Sequence, residues 1–461
     1  MSPGEQDLWF LPLGGCGEIG MNFNLYGHAG RWLAVDCGIT FERDEHNRTR
    51  IEMPDPGFIA ARADALCGLV ITHAHEDHVG AVAHLWPQLR CPVYTTAFTA
   101  AILQRKLAEA RLSGQVPVTV VPAAHRQAIG PFDVEWVGLT HSTPESQALV
   151  LRTPVGKVFH TGDWKLDPNP VLGESYSERA LRALGDEGML AMVCDSTNAT
   201  TPGRSPSEGA LLPGLLEQVE SSSGRVIVGC FGSNVARLAT LAEVARRSGR
   251  YMALLGRSLH NYVSAARQAG LWQPEQPLIE PAHLGYLPPA EVLAVATGSQ
   301  GEAGAALHRL ALGSHPDLDL APDDRVLLSS RVIPGNEASV ATLIRRLARL
   351  GVSVVQDQAL NQPIHASGHP ARDELTDLYR WVRPRMAIPV HGEPEHLAAH
   401  AALAADCGTA SQWEGRNGDL FLLAPQRGIR RGAAPVGRLL LPEDGRRPAR
   451  PPREPGDTLG A

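Results

Sequence analysis

Four potential metal ligands, His73, His75, Asp77 and His78, crowd into six residues of Ile71-Thr72-His73-Ala74-His75-Glu76-Asp77-His78, directly behind the apolar run 66–71. Strand side chains alternate, so a strand that stops here and opens into a tight loop aims alternate residues at one point. The spacing predicts one cation held by His73 and His75, and a second close by on Asp77 and His78. Imidazole with carboxylate is the donor set of borderline metals such as zinc, and His-rich sites with room for a water are the catalytic kind. The competing reading is a solvated, charged loop, and ligand-like residues further along the chain weigh against it.

Two cations sharing one group need about six or seven ligands, and the loop supplies four. His141, in Leu139-Thr140-His141-Ser142, is the expected third ligand of the first cation. Asp163, in the turn His160-Thr161-Gly162-Asp163, can bridge both cations because a carboxylate has two oxygens. His391, behind Ile388-Pro389-Val390, completes the second. Taken singly, such residues are more often surface or satisfied core groups; the full set carries the weight.

The elements that must position these groups read as α/β. Strand-like runs at 32–36, 68–71, 157–160, 190–194, 225–229, 326–329 and 387–390 alternate with helical patterns. Two of those helices are 238–247 and 340–350, the latter followed by Gly351 as a C-terminal cap. Several strand runs end in a polar cluster, the usual arrangement for chemistry in α/β sheets. The stretch Thr201-Pro202-Gly203-Arg204-Ser205-Pro206-Ser207 marks a boundary, and ligand-like residues return near 361. The expectation is a discontinuous catalytic domain, 1–205 and 361–425, with a second domain inserted at 206–360 and an Arg/Pro-rich tail at 426–461. That tail carries eight arginines between Arg427 and Arg453, which fits either a nucleic-acid-attracting arm or an unordered terminus.

At 461 residues and 43% hydrophobic content, the chain has the size for two domains and an ordinary core. Its seven cysteines (at 16, 37, 67, 91, 194, 230 and 407) are scattered and never spaced Cys-x-x-Cys. That argues against a disulfide scaffold or a structural zinc knuckle, and predicts a reducing compartment. The first residues show no signal-peptide pattern, and no window approaches the ~20 apolar residues of a membrane span. The cytoplasm, with no membrane partner, is the expected location. A net charge of −7 weighs mildly against a nucleic-acid ligand, although two divalent cations reverse the local sign.

The order and spacing of the ligands resemble the signature of the metallo-β-lactamase superfamily, His-x-His-x-Asp-His followed by a distant His, Asp and His. The resemblance implies an αββα sandwich, two β-sheets flanked by helices, with an inserted α/β domain. Branches with such an inserted β-CASP domain cut nucleic acids. Their further motifs are matched by Asp195 in Cys194-Asp195-Ser196-Thr197-Asn198, by His369 in Pro363-Ile364-His365-Ala366-Ser367-Gly368-His369, and by His391. The chain is similar to the ribonuclease J family over nearly its whole length. Leu13-Gly14-Gly15-Cys16-Gly17-Glu18-Ile19-Gly20-Met21-Asn22, His160-Thr161-Gly162-Asp163-Trp164-Lys165-Leu166-Asp167-Pro168 and Phe231-Gly232-Ser233-Asn234-Val235 carry the likeness. Gly256-Arg257-Ser258, Thr297-Gly298-Ser299-Gln300-Gly301-Glu302, Ile333-Pro334-Gly335-Asn336-Glu337 and Pro389-Val390-His391-Gly392-Glu393 continue it in order. Departures are Ala236, where relatives often have histidine, and Glu145, where they favour aspartate. The family usually carries a further small C-terminal domain tied to dimer formation, and its absence is expected here.

The resemblance implies a two-metal ribonuclease that hydrolyses RNA phosphodiester bonds in RNA maturation and decay. It implies a 5′-to-3′ exonuclease, with endonuclease action as a second mode, on single-stranded RNA bearing a 5′-monophosphate, and a homodimer or tetramer. Zinc is the expected metal, with manganese or magnesium as alternatives. Such a metal pair makes hydroxide available near neutral pH, with Asp77 among its catalytic ligands. His369 is then expected to contact the phosphate and assist the leaving oxygen while Asp195 orients its ring; a turn-capping role for Asp195 is equally open. Ser233, Asn234, His365, Ser367, Gly368 and His369 form the expected phosphate pocket of hydroxyls, an amide and backbone N–H groups. The glycines at 14, 15, 17, 298, 301 and 335 are expected to serve turns, and His84, His125, His260 and His283 the surface. Two other readings stand beside this one. One is a catalytically weak RNA-binding scaffold subunit, which lost ligands would mark, and none is missing. The other is hydrolysis of a small ester or of single-stranded DNA by the same machinery.

Overall fold

Apolar and β-branched runs favour strands, and the computed structural model, which describes residues 1–43, 49–333, 335–357, 360–442 and 448–449, gathers them into layered sheets. One eight-stranded sheet has the order Gly428–Arg430, Leu420–Ala424, Leu8–Gly14, Phe23–His28, Arg31–Val35, Leu66–Val70, Val93–Thr95 and Val118–Val120. A seven-stranded sheet runs Ser411–Gln412, Met386–Val390, Ala191–Asp195, Gly156–His160, Gln147–Thr153, Phe132–Gly138 and Arg126–Ile129. Phe10, Tyr26, Leu33 and Val70 of the first sheet meet Trp136, Leu149, Val158 and Ile388 of the second in one core. Helices Val82–Leu89 and Ala97–Glu109 cover the outer face of the first sheet. Glu178–Glu187, Arg372–Val382 and Pro394–Asp406 cover that of the second. The layering is αββα, as expected, and strands covered on both faces explain the near-continuous apolar runs.

A separate sheet of five parallel strands lies between them in sequence, in the order Tyr251–Leu255, Val292–Ala296, Val226–Gly229, Arg325–Leu328 and Ser353–Gln356. Leu212–Glu220 and Val235–Arg247 pack on one of its faces, and Ala306–Ala311 and Glu337–Arg349 on the other. The helix Arg257–Gln268 divides its loyalty: Leu259 and Val263 face this sheet, whereas Tyr262 and Ala265 join the core under Ala97–Glu109. Among the described residues no helix is long and apolar enough to cross a membrane.

Parallel pairing carries the reactive residues to one end of the sandwich. Val35 is paired with Val70, so Asp36 and the loop from Ile71 leave the first sheet side by side. Val193 is paired with His160, and Asp195 with Val390, so the Asp163 turn, Asp195 and His391 leave the second sheet together. Backbone bonds then fasten the histidine loop down. Cys37 N–H donates to His78 O (2.7 Å), Ile39 N–H to Glu76 O (3.0 Å), and Gly38 N–H to Asn22 O (3.0 Å). The strip 37–39 lies so close that a Cβ on Gly38 would stand 1.7 Å from Asp77 O.

The stretch expected as a tail from 426 begins instead as part of the fold. Gly428–Arg430 edges the first sheet, and Arg438–Leu441 pairs with Thr49–Pro54 in a three-stranded sheet completed by Thr40–Arg43. Arg438 is held by Glu18 (2.6 Å), Glu52 (2.8 Å) and Glu42 (3.1 Å), and Arg431 by the buried Asp419 (2.7 Å). These two arginines are spent on internal carboxylates and do not form a free basic arm. Arg446, Arg447, Arg450 and Arg453 lie outside the described residues, as does Pro334.

The approach at Gly38 makes a sharp test of how the histidine loop is seated. Gly38→Ala is expected to cost about 1–3 kcal/mol of stability, as overpacking of a dense interior does. Denaturant melts of the two proteins measure it, and an unchanged midpoint would mean that the strip does not hold the loop.

Candidate metal centre

Imidazoles can ligate a metal only through an unprotonated nitrogen, so the first question is where each ring points its lone pair. His73 Nε2 and His141 Nε2 stand 3.1 and 3.0 Å from His75 Nδ1, and each lies 3.8 Å from Asp163 Oδ2. On the other side of the same oxygen are His78 Nε2 at 3.1 Å and His391 Nε2 at 3.6 Å. Asp77 Oδ2 closes that second group, 3.5 Å from His78 Nε2 and 3.6 Å from His391 Nε2. Two clusters result, His73–His75–His141–Asp163 and Asp77–His78–Asp163–His391, each with donor atoms within 4.8 Å of one another. The structure thus brings together every residue expected as a ligand, with Asp163 common to both groups.

The opposite ring nitrogens are tied down by residues that fix the tautomer. His141 Nδ1–H donates to Gly368 O (2.6 Å), and His78 Nδ1–H donates to Asp36 Oδ2 (2.7 Å). His73 Nδ1 meets Thr72 Oγ1 (3.0 Å), whose hydroxyl donates in turn to Asp36. His391 Nδ1 meets the side-chain amide of Asn22, 2.8 Å from Nδ2 and 3.0 Å from Oδ1, which places the ring without choosing its tautomer. Such partners orient ligating imidazoles and raise their basicity. His391 holds a φ of +52°, unusual for a side chain with a Cβ and typical of strained functional positions. Its N–H donates to Gly15 O (2.6 Å), and a Cβ on Gly15 would lie 2.2 Å from Asn22 Oδ1, so the glycine turn closes this corner.

Burial pushes His73 and His141 well below the ordinary imidazole pKa and His75 down to about 4, so this trio is neutral. Burial works the same way on His78, but Asp163, Asp77 and Asp36 outweigh it and hold its pKa well above the usual value. Burial alone would raise the Asp163 carboxyl; His391 and His78 keep it far below its normal range. The carboxylates around His78 thus favour positive charge at its Nε2, where a cation can take the place of the proton, and three neutral rings offer lone pairs beside it. That donor set and charge balance fit divalent cations.

Next to the clusters, His369 Nδ1 bonds Asp195 Oδ2 at 2.8 Å and lies 4.0 Å from Asp163 Oδ2. Burial opposes charge on this ring, yet Asp195, Asp163 and Asp77 together raise its pKa to about 9. Asp195 Oδ1 also accepts from the N–H and the hydroxyl of Thr197 and so caps the turn, while Oδ2 meets the His369 ring. The side chains of His369 and Asp77 keep 22% and 28% exposure, so this edge of the centre opens to solvent.

The expected phosphate pocket divides. Ser367 Oγ accepts from Asn198 Nδ2 (2.8 Å), and Gly368 touches His141, so both belong to the centre with His369. His365 stands behind them, its Nδ1 buried without a partner and its pKa pushed down to about 3 by burial and Arg237. Asn234 is a correction: both ends of its amide are engaged, Oδ1 by the Arg237 N–H as a helix cap and Nδ2 by Glu208. Among the described residues no hydrogen bond joins the Ser233 side chain to the 365–369 segment. Glu145 serves another helix end, accepting from Phe98 N–H (2.8 Å) at the start of Ala97–Glu109. The sequence reading missed Asp36, Thr72, Asn22 and Asn198. Asp36 follows the apolar run 32–35 just as Asp195 follows its own, and that signal was available.

Family models match the chain in three places. Residues 20–190 match the metallo-beta-lactamase superfamily, 223–347 the beta-CASP domain of ribonuclease J, and 358–414 the Zn-dependent metallo-hydrolase RNA specificity domain. A ribonuclease J of Sinorhizobium meliloti is 43% identical over 94% of this chain and 78% of its own length. One from Mycolicibacterium smegmatis is 39% identical over 93% and 77%. A crystal structure of a protein of unknown function from Enterococcus faecalis V583 superposes with a TM-score of 0.62 at 15% identity, covering 90% of this chain and all of that one, a likeness of fold.

If Asp36 orients His78 as drawn, Asp36→Asn should weaken metal binding by about 10–100-fold, the usual effect of losing such a partner. Titration of the metal-stripped protein with Zn²⁺ by calorimetry reads this directly, and wild-type affinity in the variant would remove Asp36 from the centre.

Proposed function

The chain belongs to the ribonuclease J family, whose metallo-β-lactamase and β-CASP domains make it a hydrolytic nuclease, and from that premise we propose a two-metal RNA phosphodiesterase. It acts as a 5′-to-3′ exonuclease on single-stranded RNA with a 5′-monophosphate, with endonucleolytic cleavage as a second mode, in RNA maturation and decay. The observation that carries the reading is the shared vertex at Asp163 Oδ2, reached from both ligand groups at 3.1–3.8 Å. His73, His75, His141 and Asp163 would hold one cation, and Asp77, His78, Asp163 and His391 the other. Zinc suits this imidazole-rich set best, manganese next, and magnesium least because it prefers oxygen. When bound, such cations supply Lewis acidity toward a phosphoryl oxygen and lower the pKa of water.

The chain's own residues do the rest. Protonated His369 faces the open edge and can donate to the phosphate or to the departing oxygen. Asp195 is the part of its field that cations on Asp77 and Asp163 do not cancel, so it keeps the ring charged and aimed. Ser367 Oγ, beside His369 and paired with Asn198, adds a hydroxyl for the phosphate. His365, neutral and unpartnered at Nδ1, is a further group on the same segment. A homo-oligomer working in the cytoplasm completes the proposal.

Cleavage of one internally labelled RNA, bearing either a 5′-monophosphate or a 5′-triphosphate, tests the reading. Mononucleotides released from the monophosphorylated form alone support the 5′ exonuclease; internal fragments from both forms would make it chiefly an endonuclease. Asp77→Ala with His78→Ala should lose at least about a thousandfold in rate, the scale of several kcal/mol of transition-state stabilisation, while staying folded. A folded double variant with full activity would sink the site.

A further inference from the structure

His369 ends a short strap, 364–369, that belongs to no helix or strand, so its path is set by hydrogen bonds at its two ends. The far end is held by the metal-bearing half: Asn198 Nδ2 and Ser205 Oγ donate to His369 O (3.1 and 2.5 Å), and His141 to Gly368 O. The near end is held by the five-stranded unit. Ser329 Oγ, just past the strand Arg325–Leu328, donates to Ile364 O at 2.6 Å. Asp357 Oδ1, just past Ser353–Gln356, accepts from the N–H groups of Ile364 (2.7 Å) and His365 (3.1 Å).

Arg237 organises that near end. Its side chain is fully buried, and Nη1 donates to Ser329 O (2.8 Å), to Ser329 Oγ and to Ile364 O (3.4 Å). Nε and Nη2 grip Glu208 at 3.1 and 2.8 Å. Glu208 N–H in turn donates to Asp167 of the metal-bearing half (2.9 Å), which also sits 3.3 Å from the buried Lys165. A buried ion pair is a poor way to add stability, because its desolvation cost rivals its attraction. A planar fork with five donors is a good way to hold several oxygens in one geometry.

We propose that Arg237 is a positioning residue for His369, acting through Ser329 and Ile364, so that the seating of the β-CASP unit decides where the catalytic imidazole stands. This rests on His369 acting in RNA cleavage, as proposed above. Displacement of a catalytic group by about 1 Å can cost a hundredfold in rate, whereas binding of RNA elsewhere on the surface is untouched. The signature is a fall in kcat with KM preserved.

The test uses Glu208→Gln combined with Arg237→Met, which removes both charges together, keeps volume, and leaves an acceptor for Asn234. The double variant should melt cooperatively and bind its full metal complement, yet lose about tenfold or more in kcat on saturating RNA with KM within about twofold. Ser329→Ala removes one bond to Ile364, leaves the ion pair intact, and should lose about threefold or more in kcat; it decides the matter if the double variant does not fold. Arg250→Met is the control for a merely structural arginine, since among the described residues Arg250 bonds carbonyls within and just before the five-stranded sheet, those of Val219, Ser222, Gly224 and Val292. It should lower the melting temperature and leave the kcat of the folded enzyme alone. His369→Ala run in parallel separates the two failures. Wild-type cleavage by His369→Ala overturns both the role of His369 and this inference. An inactive His369→Ala beside a folded, metal-loaded Ser329→Ala and double variant of wild-type kcat overturns the inference alone.

Discussion

The Asp163 carboxylate is buried at 2% exposure between two groups of imidazoles, and the catalytic half of the molecule is built around keeping it there. An uncompensated carboxylate in such a place costs several kcal/mol after relaxation. The rings nearest it do not all help: His73, His75 and His141 are driven neutral by burial, and the two whose pKa rises are already shared, His78 with Asp77 and Asp36, His369 with Asp195. The remaining balance falls to bound cations. This links metal loading to folding, because the ligands come from separate strand ends and converge only when both sheets are in place.

That convergence explains what could be seen in the sequence. A polar residue directly behind an apolar run marks a strand end, so His73, Asp195 and His391 were visible one by one, and the two-residue step from His73 to His75 and on to Asp77 showed a loop turned toward one point. Asp36 obeys the same rule, but its role does not follow from it. It acts on His78 and Thr72 because Val35 and Val70 are in parallel register, which no local pattern contains. Asn22 ends one of the stretches that carry the family likeness, but its contact with His391 shows only in the fold, where the Gly15 turn closes against its side chain.

Two misreadings share a cause. Asn234 stands before an apolar helix with Arg237 three residues on, and an asparagine so placed is first of all a helix cap. The arginines past 426 were weighed by number, although Arg438 and its partners Glu18, Glu42 and Glu52 are separated by most of the chain. Composition counts charges; only the fold says which of them are already paired. The net charge of −7 says little about RNA for the same reason, since Asp77 and Asp163 stand among the candidate metal ligands and Asp36 is bonded to His78, so none of them is a free surface charge.

The β-CASP unit has a core of its own on both faces of its sheet. It also makes hydrogen bonds to the sandwich where they matter for chemistry. Tyr262 donates to Ala74 O inside the histidine loop (3.3 Å), Arg331 to Asn198 beside Ser367 (3.3 Å), and Ser329 to Ile364 ahead of His369 (2.6 Å). Each bond ends on backbone or an amide adjoining the site rather than on a ligand, so the unit can adjust geometry without competing for the metals. The two sheets of the sandwich bring the ligand-like residues together, and loops at the ends of the third sheet hold the start of the 364–369 strap that leads to His369. The interface thus combines an apolar part, where Tyr262, Ala265 and Ala266 pack against Phe98, Ala101 and Ile102, with buried hydrogen-bonded groups whose desolvation adds little net stability and whose value lies in fixing geometry.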